Sequence, residues 1–224
     1  MLLTIPGVID PQQLHVMQQA LREAPFLDGK LSAGIAASKV KNNQEVDQAT
    51  EMAQQLSRIL LGNLHHNETF RNAALPHRTA TPFFAKYSKG MTYGDHIDDP
   101  VMGQQEQRFR CDVACTVFLN SPDEYEGGEL TIRTTFGNKS VKLAAGDAVL
   151  YPASSLHGVA EVTKGERLVA VTWIQSLVRE PAKRELLYEL NMAREKLLKE
   201  KPGAEETAQV DHSYTNLVRM WAEV

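Results

Sequence analysis

The chain has 224 residues, 42% hydrophobic and 23% charged, with a formal net charge of −4. That is an ordinary globular composition with room for one substantial core and a small appended unit, and it excludes a generally basic nucleic-acid or anionic-membrane binder. No apolar run approaches the ~20 residues a bilayer requires, and Met1–Val8 lacks a basic leader and cleavage site, so a cytoplasmic protein is expected.

The first elements are helical and supportive. Asp10 can cap a helix that has Pro11 at its first position and Leu14, Met17 and Leu21 on one face, ending at Ala24-Pro25. A polar, glycine-containing stretch from Ala33 to Asn43 follows. A second helix is predicted from Gln48 to Leu64, its stripe of Ala49, Met52, Ala53, Leu56, Ile59 and Leu60 packing outside a sheet. His65 and His66 sit near its end, where histidine complements the helix dipole; they are read that way and not as metal ligands.

From Arg78 the period changes to that of strands. Thr79–Tyr87 is short, β-rich and edged by Pro82, and Ser88-Lys89-Gly90 reads as a turn. His96-Ile97-Asp98 then places a histidine and an aspartate two apart on an extended segment, hence on one face, where both could hold one ion. Asp99–Arg108, with Pro100 and Gly103, is expected to be a mobile loop over the entrance.

A strand is predicted from Phe109 to Asn120, with Arg110 either a substrate contact or half of an ion pair. Cys111 and Cys115 should share a face of it as small core residues, since four strand residues separate their α-carbons by roughly 13 Å, too far for a disulfide. Asn120-Ser121-Pro122-Asp123 is a turn, and the paired glycines of Glu126-Gly127-Gly128-Glu129 allow a sharp bend before the strand Leu130–Thr134. Gly137-Asn138 joins this strand to Ser140–Leu143 as a hairpin.

Gly146-Asp147 and the strand Ala148–Pro152 lead to His157, the best-placed third ligand. Two imidazoles and one carboxylate on one face make the arrangement of non-haem iron(II) oxygenases. Ten residues on, Arg167 opens the buried strand Leu168–Ile174, poised to reach inward and bind the distal carboxylate of a dicarboxylic cosubstrate; its alternative is an ion pair with Glu161 or Glu166. Short strands punctuated by Gly and Pro predict an antiparallel double-layer barrel or jelly roll. After Ser176 the composition turns helical again: Arg179–Lys201 with Leu186, Leu187, Leu190 and Leu197 on its apolar side, a break at Pro202-Gly203, and a shorter helix within Ala204–Val224. The chain is therefore expected to be mainly β with flanking helices. It divides into a helical support (1–77), a jelly-roll core (78–177) and a C-terminal helical appendage (178–224) that packs on the barrel or makes a homodimer contact.

YSKGMTYGDHIDD, EYEGGELTI and AGDAVLYPASSLHGVAEVTKGERLVAVTWIQS together resemble the iron- and 2-oxoglutarate-dependent dioxygenases of the prolyl 4-hydroxylase-like group, and more narrowly the bacterial PKHD-type hydroxylases. The resemblance implies a double-stranded β-helix, Fe(2+) on His96, Asp98 and His157, and 2-oxoglutarate anchored by Arg167, where prolyl 4-hydroxylases commonly have lysine. It also implies L-ascorbate as a supporting reductant, O2 as cosubstrate and a link to bacterial iron uptake. Tyr87 is implied as a contact to the cosubstrate carboxylate; filling the barrel is its alternative. A segment similar to Lys41-Asn42-Asn43 occurs in that family, either lining the site mouth or lying in a solvated loop. The substrate is a small molecule or a peptidyl group, with neither nucleic acid nor membrane as partner. Two competing functions are a non-catalytic iron-binding or sensing barrel and a cupin-type metal-dependent hydrolase or isomerase. A store has no use for an anchor at Arg167, and the cupin type calls for an additional ligand near the first pair.

Overall fold

The computed structural model describes residues 1–224. The chain begins with β1 (Leu3–Ile5), α1 (Pro11–Glu23), β2 (Phe26–Asp28), β3 (Lys41–Asn42) and β4 (Gln44–Val46), then α2 (Glu51–His66) and α3 (Glu68–Ala74). Next come β5 (Pro76–Thr79), β6 (Phe83–Ser88), β7 (Thr92–His96), β8 (Val101–Met102), β9 (Phe109–Arg110) and β10 (Val113–Phe118). The barrel is completed by β11 (Tyr125–Gly127), β12 (Leu130–Thr134), β13 (Gly137–Val141), β14 (Ala148–Pro152), β15 (His157–Val159) and the long β16 (Val162–Ser176). Helices α4 (Pro181–Glu200) and α5 (Glu205–Trp221) close the chain, and no helix is long and apolar enough to cross a membrane.

The strands form two antiparallel sheets. The larger runs β1-β14-β10-β16-β6-β4-β2, with β5 and β11 also paired to β16; the smaller runs β13-β12-β15-β7-β3. This is a jelly-roll core in which four short N-terminal strands extend the two sheets. Strand periodicity explains how one sheet serves two cores. On β10, Val113, Cys115 and Val117 join the outer core under α1–α3, which includes Met17, Leu56, Leu60, Leu64 and Phe70, while Ala114 and Phe118 join the core inside the barrel. Both faces are buried, which is why β10 reads as a continuous apolar run.

Local chemistry sets the boundaries. Asp10 caps α1 by accepting from the Gln12 and Gln13 amides at 2.9 and 3.0 Å, and Thr50, not the region of Gln48, caps α2. The predicted strand Phe109–Asn120 is broken at Cys111-Asp112. The break changes the facing of the cysteines: Cys115 lies in the outer core, whereas Cys111 packs against the inner one, so they do not share a side, and both thiols are free. The expected loop Asp99–Arg108 includes β8, which pairs with β9 as a small ribbon. The C-terminal hairpin docks through α4 on α3, and buried Arg184 donates to the local Val178 and Arg179 carbonyls at 2.7 and 2.6 Å and to the Asp112 carbonyl of the barrel at 3.3 Å.

Candidate active site

In the smaller sheet, β15 pairs with β7 in a register that sets His157 directly across from His96, with an irregularity before Val159. Asp98 lies two residues past the end of β7, yet its ligand atoms and those of the two histidines all lie within 4.8 Å of one another. The His96 and His157 rings are 4.3 Å apart, and Asp98 Oδ1 is 3.8 Å from His157 Nε2. Each imidazole Nδ1 meets a backbone carbonyl, Gly94 at 2.8 Å and Ser155 at 3.0 Å. Because a carbonyl can only accept, Nδ1 carries the proton in both rings and the Nε2 lone pairs are free for a metal. Tyr93 stacks on His96 at 3.6 Å and 11°, fixing its plane.

The electrostatics fit a cation among these three groups. Burial, followed by the neighbouring His157, pulls the His96 imidazole down from 6.5 to about 4, so the ring stays neutral and ligating. Burial pushes the Asp98 carboxyl up, against the pull of His157. A bound cation reverses that preference and favours the carboxylate. Asp98 Oδ2 and the Trp173 indole nitrogen are both sealed from solvent without a hydrogen-bond partner, and the nearby indole opposes the upward push of burial on the carboxyl. This set of two imidazoles and one carboxylate could hold ferrous iron with positions left open; no other cluster of three such side chains occurs in the chain.

Arg167 is the second element of the site. It pairs with Tyr87 across β16 and β6 and shares its facing with Val169, Val171 and Trp173, which point into the barrel. It is only 1% exposed, and no carboxylate lies within ion-pair distance. Glu166 instead accepts from Ser88 at 2.8 Å. The guanidinium carbon sits 5.0 Å from the Tyr87 ring and 5.6 Å from the Phe118 ring, which supply cation–π contact but no counter-charge. Tyr87 is itself buried, and burial pushes its phenol up to about 12, so it is a neutral group at any physiological pH.

The metal cluster, Arg167 and Tyr87 open on one cavity of about 880 Å³. Met102 and Gln104 beside the β8–β9 ribbon line its mouth. Lys41 and Asn43 also line it and are buried, so this segment is not a solvated loop. Lys41 Nζ is held by Glu45 at 2.6 Å and Ser32 at 2.8 Å. Arg110 is elsewhere, paired with Asp112 at 2.7 Å and Glu223 at 2.9 Å. Sequence reasoning passed over Glu45, Trp173 and Tyr125. Trp173 was accessible to it, being on the same strand face as Arg167; Tyr125 and the buried Glu45 have no periodic signal.

Comparison with known proteins agrees with this geometry. Residues 82–175 match the 2OG-Fe(II) oxygenase superfamily, and residues 182–223 match the PKHD-type hydroxylase C-terminal domain. A PKHD-type hydroxylase of Thioalkalivibrio sulfidiphilus is 51% identical over 224 residues, covering 100% of both chains, and one of Pseudomonas putida is 42% identical over 226 residues with the same coverage. The chain belongs to the PKHD-type hydroxylase family. Membership makes this hydroxylase a 2-oxoglutarate–Fe(II) oxygenase, and the family implies Fe(2+) and 2-oxoglutarate as its cofactor and cosubstrate.

The fold has solved relatives at much lower identity. A Pseudomonas putida prolyl-4-hydroxylase superposes with a TM-score of 0.55 at 16% identity, over 78% of this chain and 92% of that one. A Trichoplax adhaerens prolyl hydroxylase in complex with a hypoxia inducible factor peptide gives 0.56 at 17% identity, over 83% and 86%. HygX of Streptomyces hygroscopicus, with nickel, 2-oxoglutarate and hygromycin B bound, gives 0.52 at 15% identity, over 80% and 84%. The PKHD-type hydroxylase shares their jelly-roll architecture.

Proposed function

We propose that His96, Asp98 and His157 hold the iron and that Arg167 anchors the distal carboxylate of 2-oxoglutarate, in a hydroxylase whose substrate enters the rest of the cavity. The observation that carries this reading is a fully buried guanidinium without a carboxylate partner, in the same cavity as the one cluster able to bind a metal. Burying an unpaired cation costs several kcal/mol, and an incoming dicarboxylate offsets that cost with two charge-assisted hydrogen bonds. When bound together, ferrous iron and 2-oxoglutarate with O2 supply the oxidation of a C–H bond to C–OH, releasing succinate and CO2. The protein's part is to present two neutral imidazoles and one carboxylate, to hold the diacid at its far end and to exclude water. Tyr87 supports the guanidinium through cation–π contact, its ring centre 5.0 Å from the guanidinium carbon. No acid–base pair is needed.

The molecules bound to two proteins of this fold, a peptide and hygromycin B, support either a peptidyl group or a small molecule as the substrate here. The resemblance to PKHD-type hydroxylases carries ascorbate as the supporting reductant and a role in bacterial iron uptake into the proposal, and a cytoplasmic location is proposed with them. A homodimer through the C-terminal helices is also part of the proposal, which light scattering tests. The reaction itself is tested by succinate release from 2-oxoglutarate in the presence of Fe(II). The wild type should turn over and His157→Ala should not; metal-loaded wild type that leaves 2-oxoglutarate intact would refute the proposal.

A further inference from the structure

Arg167 and the elements behind it carry an inference that rests on the anchor reading above and deepens it. Two buried polar atoms there have no hydrogen-bond partner, Arg167 Nε and the Tyr125 hydroxyl, and their side chains meet over Gly128. The Arg167 Nη atoms make no hydrogen bond within the protein either, but they are not sealed, and the side chain lines the cavity. Tyr125 does not line the cavity; it is 3% exposed and stands behind the arginine in the inner core.

The local backbone is built for this approach. Tyr125 pairs with Gly165 across β11 and β16, and the register shifts immediately after, between Glu126 and Gly127. At Gly128, with φ +69°, a Cβ would lie 3.1 Å from both Arg167 Cδ and Tyr125 Cε2, so only glycine leaves room for the two side chains to meet. From outside, Lys142 clamps the tyrosine, donating to its carbonyl at 2.7 Å and lying 4.0 Å over its ring.

We propose that Tyr125 is a positioning residue for cosubstrate binding: its phenol oxygen is the acceptor on which Arg167 Nε–H closes when the distal carboxylate binds, which turns the two terminal nitrogens toward the cavity. The chemistry of the acceptor matters as much as its place. A carboxylate here would pair with the guanidinium and cancel its charge before any ligand arrived. A phenol, kept neutral by burial, satisfies Nε and leaves the full positive charge for the incoming carboxylate. The site thereby selects an anionic distal group.

The test compares two probes on the Mn(II)-loaded full chain by calorimetry: 2-oxoglutarate, and 2-oxopentanoate, which has the same chain length but no distal carboxylate. Tyr125→Phe should weaken 2-oxoglutarate roughly tenfold, the loss of one hydrogen bond to a charged group, and leave 2-oxopentanoate unchanged. In an Arg167→Met background the same change should add nothing. Equal weakening of both probes, or 2-oxoglutarate affinity within about twofold of wild type while Arg167→Met loses it, overturns the role of Tyr125 and leaves the anchor standing. Wild-type affinity in Arg167→Met itself overturns the anchor reading instead. Should Tyr125→Phe not fold, Tyr125→Gln, which restores an acceptor, is measured against Tyr125→Leu. The pair must differ for 2-oxoglutarate and agree for 2-oxopentanoate; any other pattern overturns the proposal.

Discussion

Replacing Arg167 by methionine separates what the residue does for binding from what it does for stability. The side chain is 1% exposed with only the Tyr87 and Phe118 rings, at 5.0 and 5.6 Å, against its charge. Removing one partner of a buried, hydrogen-bonded charge pair costs about 3–5 kcal/mol. At about 1.4 kcal/mol per tenfold, the predicted loss of 2-oxoglutarate affinity is roughly 150- to 4,000-fold. The ligand-free protein should respond in the opposite sense. Methionine keeps most of the apolar stem and removes a desolvated cation, for a gain of about 1–3 kcal/mol, reduced by the cation–π contacts it gives up. For a chain of this size, at roughly 2–4 °C per kcal/mol, that is a rise in Tm of at most about 12 °C. Calorimetric titration on Mn(II)-loaded protein and thermal melts of the ligand-free variant read the two effects. Undiminished cosubstrate affinity, or a melting temperature several degrees below wild type, would refute the reasoning, because Arg167 would then be a structural cation.

Three further outcomes follow from the same geometry. Gly128→Ala forces a side chain onto φ +69° and within 3.1 Å of Arg167 and Tyr125; chemical denaturation should show a loss of about 1–3 kcal/mol, accompanied by weaker 2-oxoglutarate binding. In metal-free protein His96 has a folded-state pKa of about 4 against 6.5. The unfolded chain therefore binds more protons between those values, and stability should fall as pH drops from about 6.5 toward 4, by at most about 3 kcal/mol given its partial exposure. Urea titrations of chelator-treated protein check this, and His96→Gln should flatten that part of the profile. Arg184→Met strands the Val178 and Arg179 carbonyls that the guanidinium now satisfies, at a cost of about 2–4 kcal/mol; limited proteolysis should then release the α4–α5 hairpin first.

The strand and helix order of the barrel and the pairing of His96 with Asp98 were legible because they rest on periodicity and spacing; His157 was a candidate that the family resemblance joined to them. Arg167 was expected to reach inward because it opens a buried strand; parity alone could not decide, since both faces of β16 are apolar, and in the structure every second residue from Arg167 to Trp173 points inward. What stayed hidden lacks a period. Strands β1 to β4 are two or three residues long and are held by partners distant in sequence, so nothing local announces them. Lys41 reads as a solvent residue until folding brings Glu45 and Ser32 to its ammonium. The cysteine facing failed for a definite reason. Asp112 turns out of the strand to bind Arg110 at 2.7 Å and the Ser176 amide at 2.8 Å, and the interrupted strand loses its phase there. A run of strand-forming residues conceals such a break, because the side chain that causes it competes with the ladder only once β16 is in place.

Anaerobic titration of the apoprotein with Fe(II), followed by 2-oxoglutarate, tests the central claim most directly. Ferrous iron chelated by the 2-oxo acid in this site should give a weak visible charge-transfer band that saturates at one equivalent of each, is absent in Asp98→Ala and needs far more cosubstrate in Arg167→Met. Iron that binds with no such band on adding 2-oxoglutarate, or a band that Asp98→Ala leaves intact, would contradict the assignment of these residues to metal and cosubstrate.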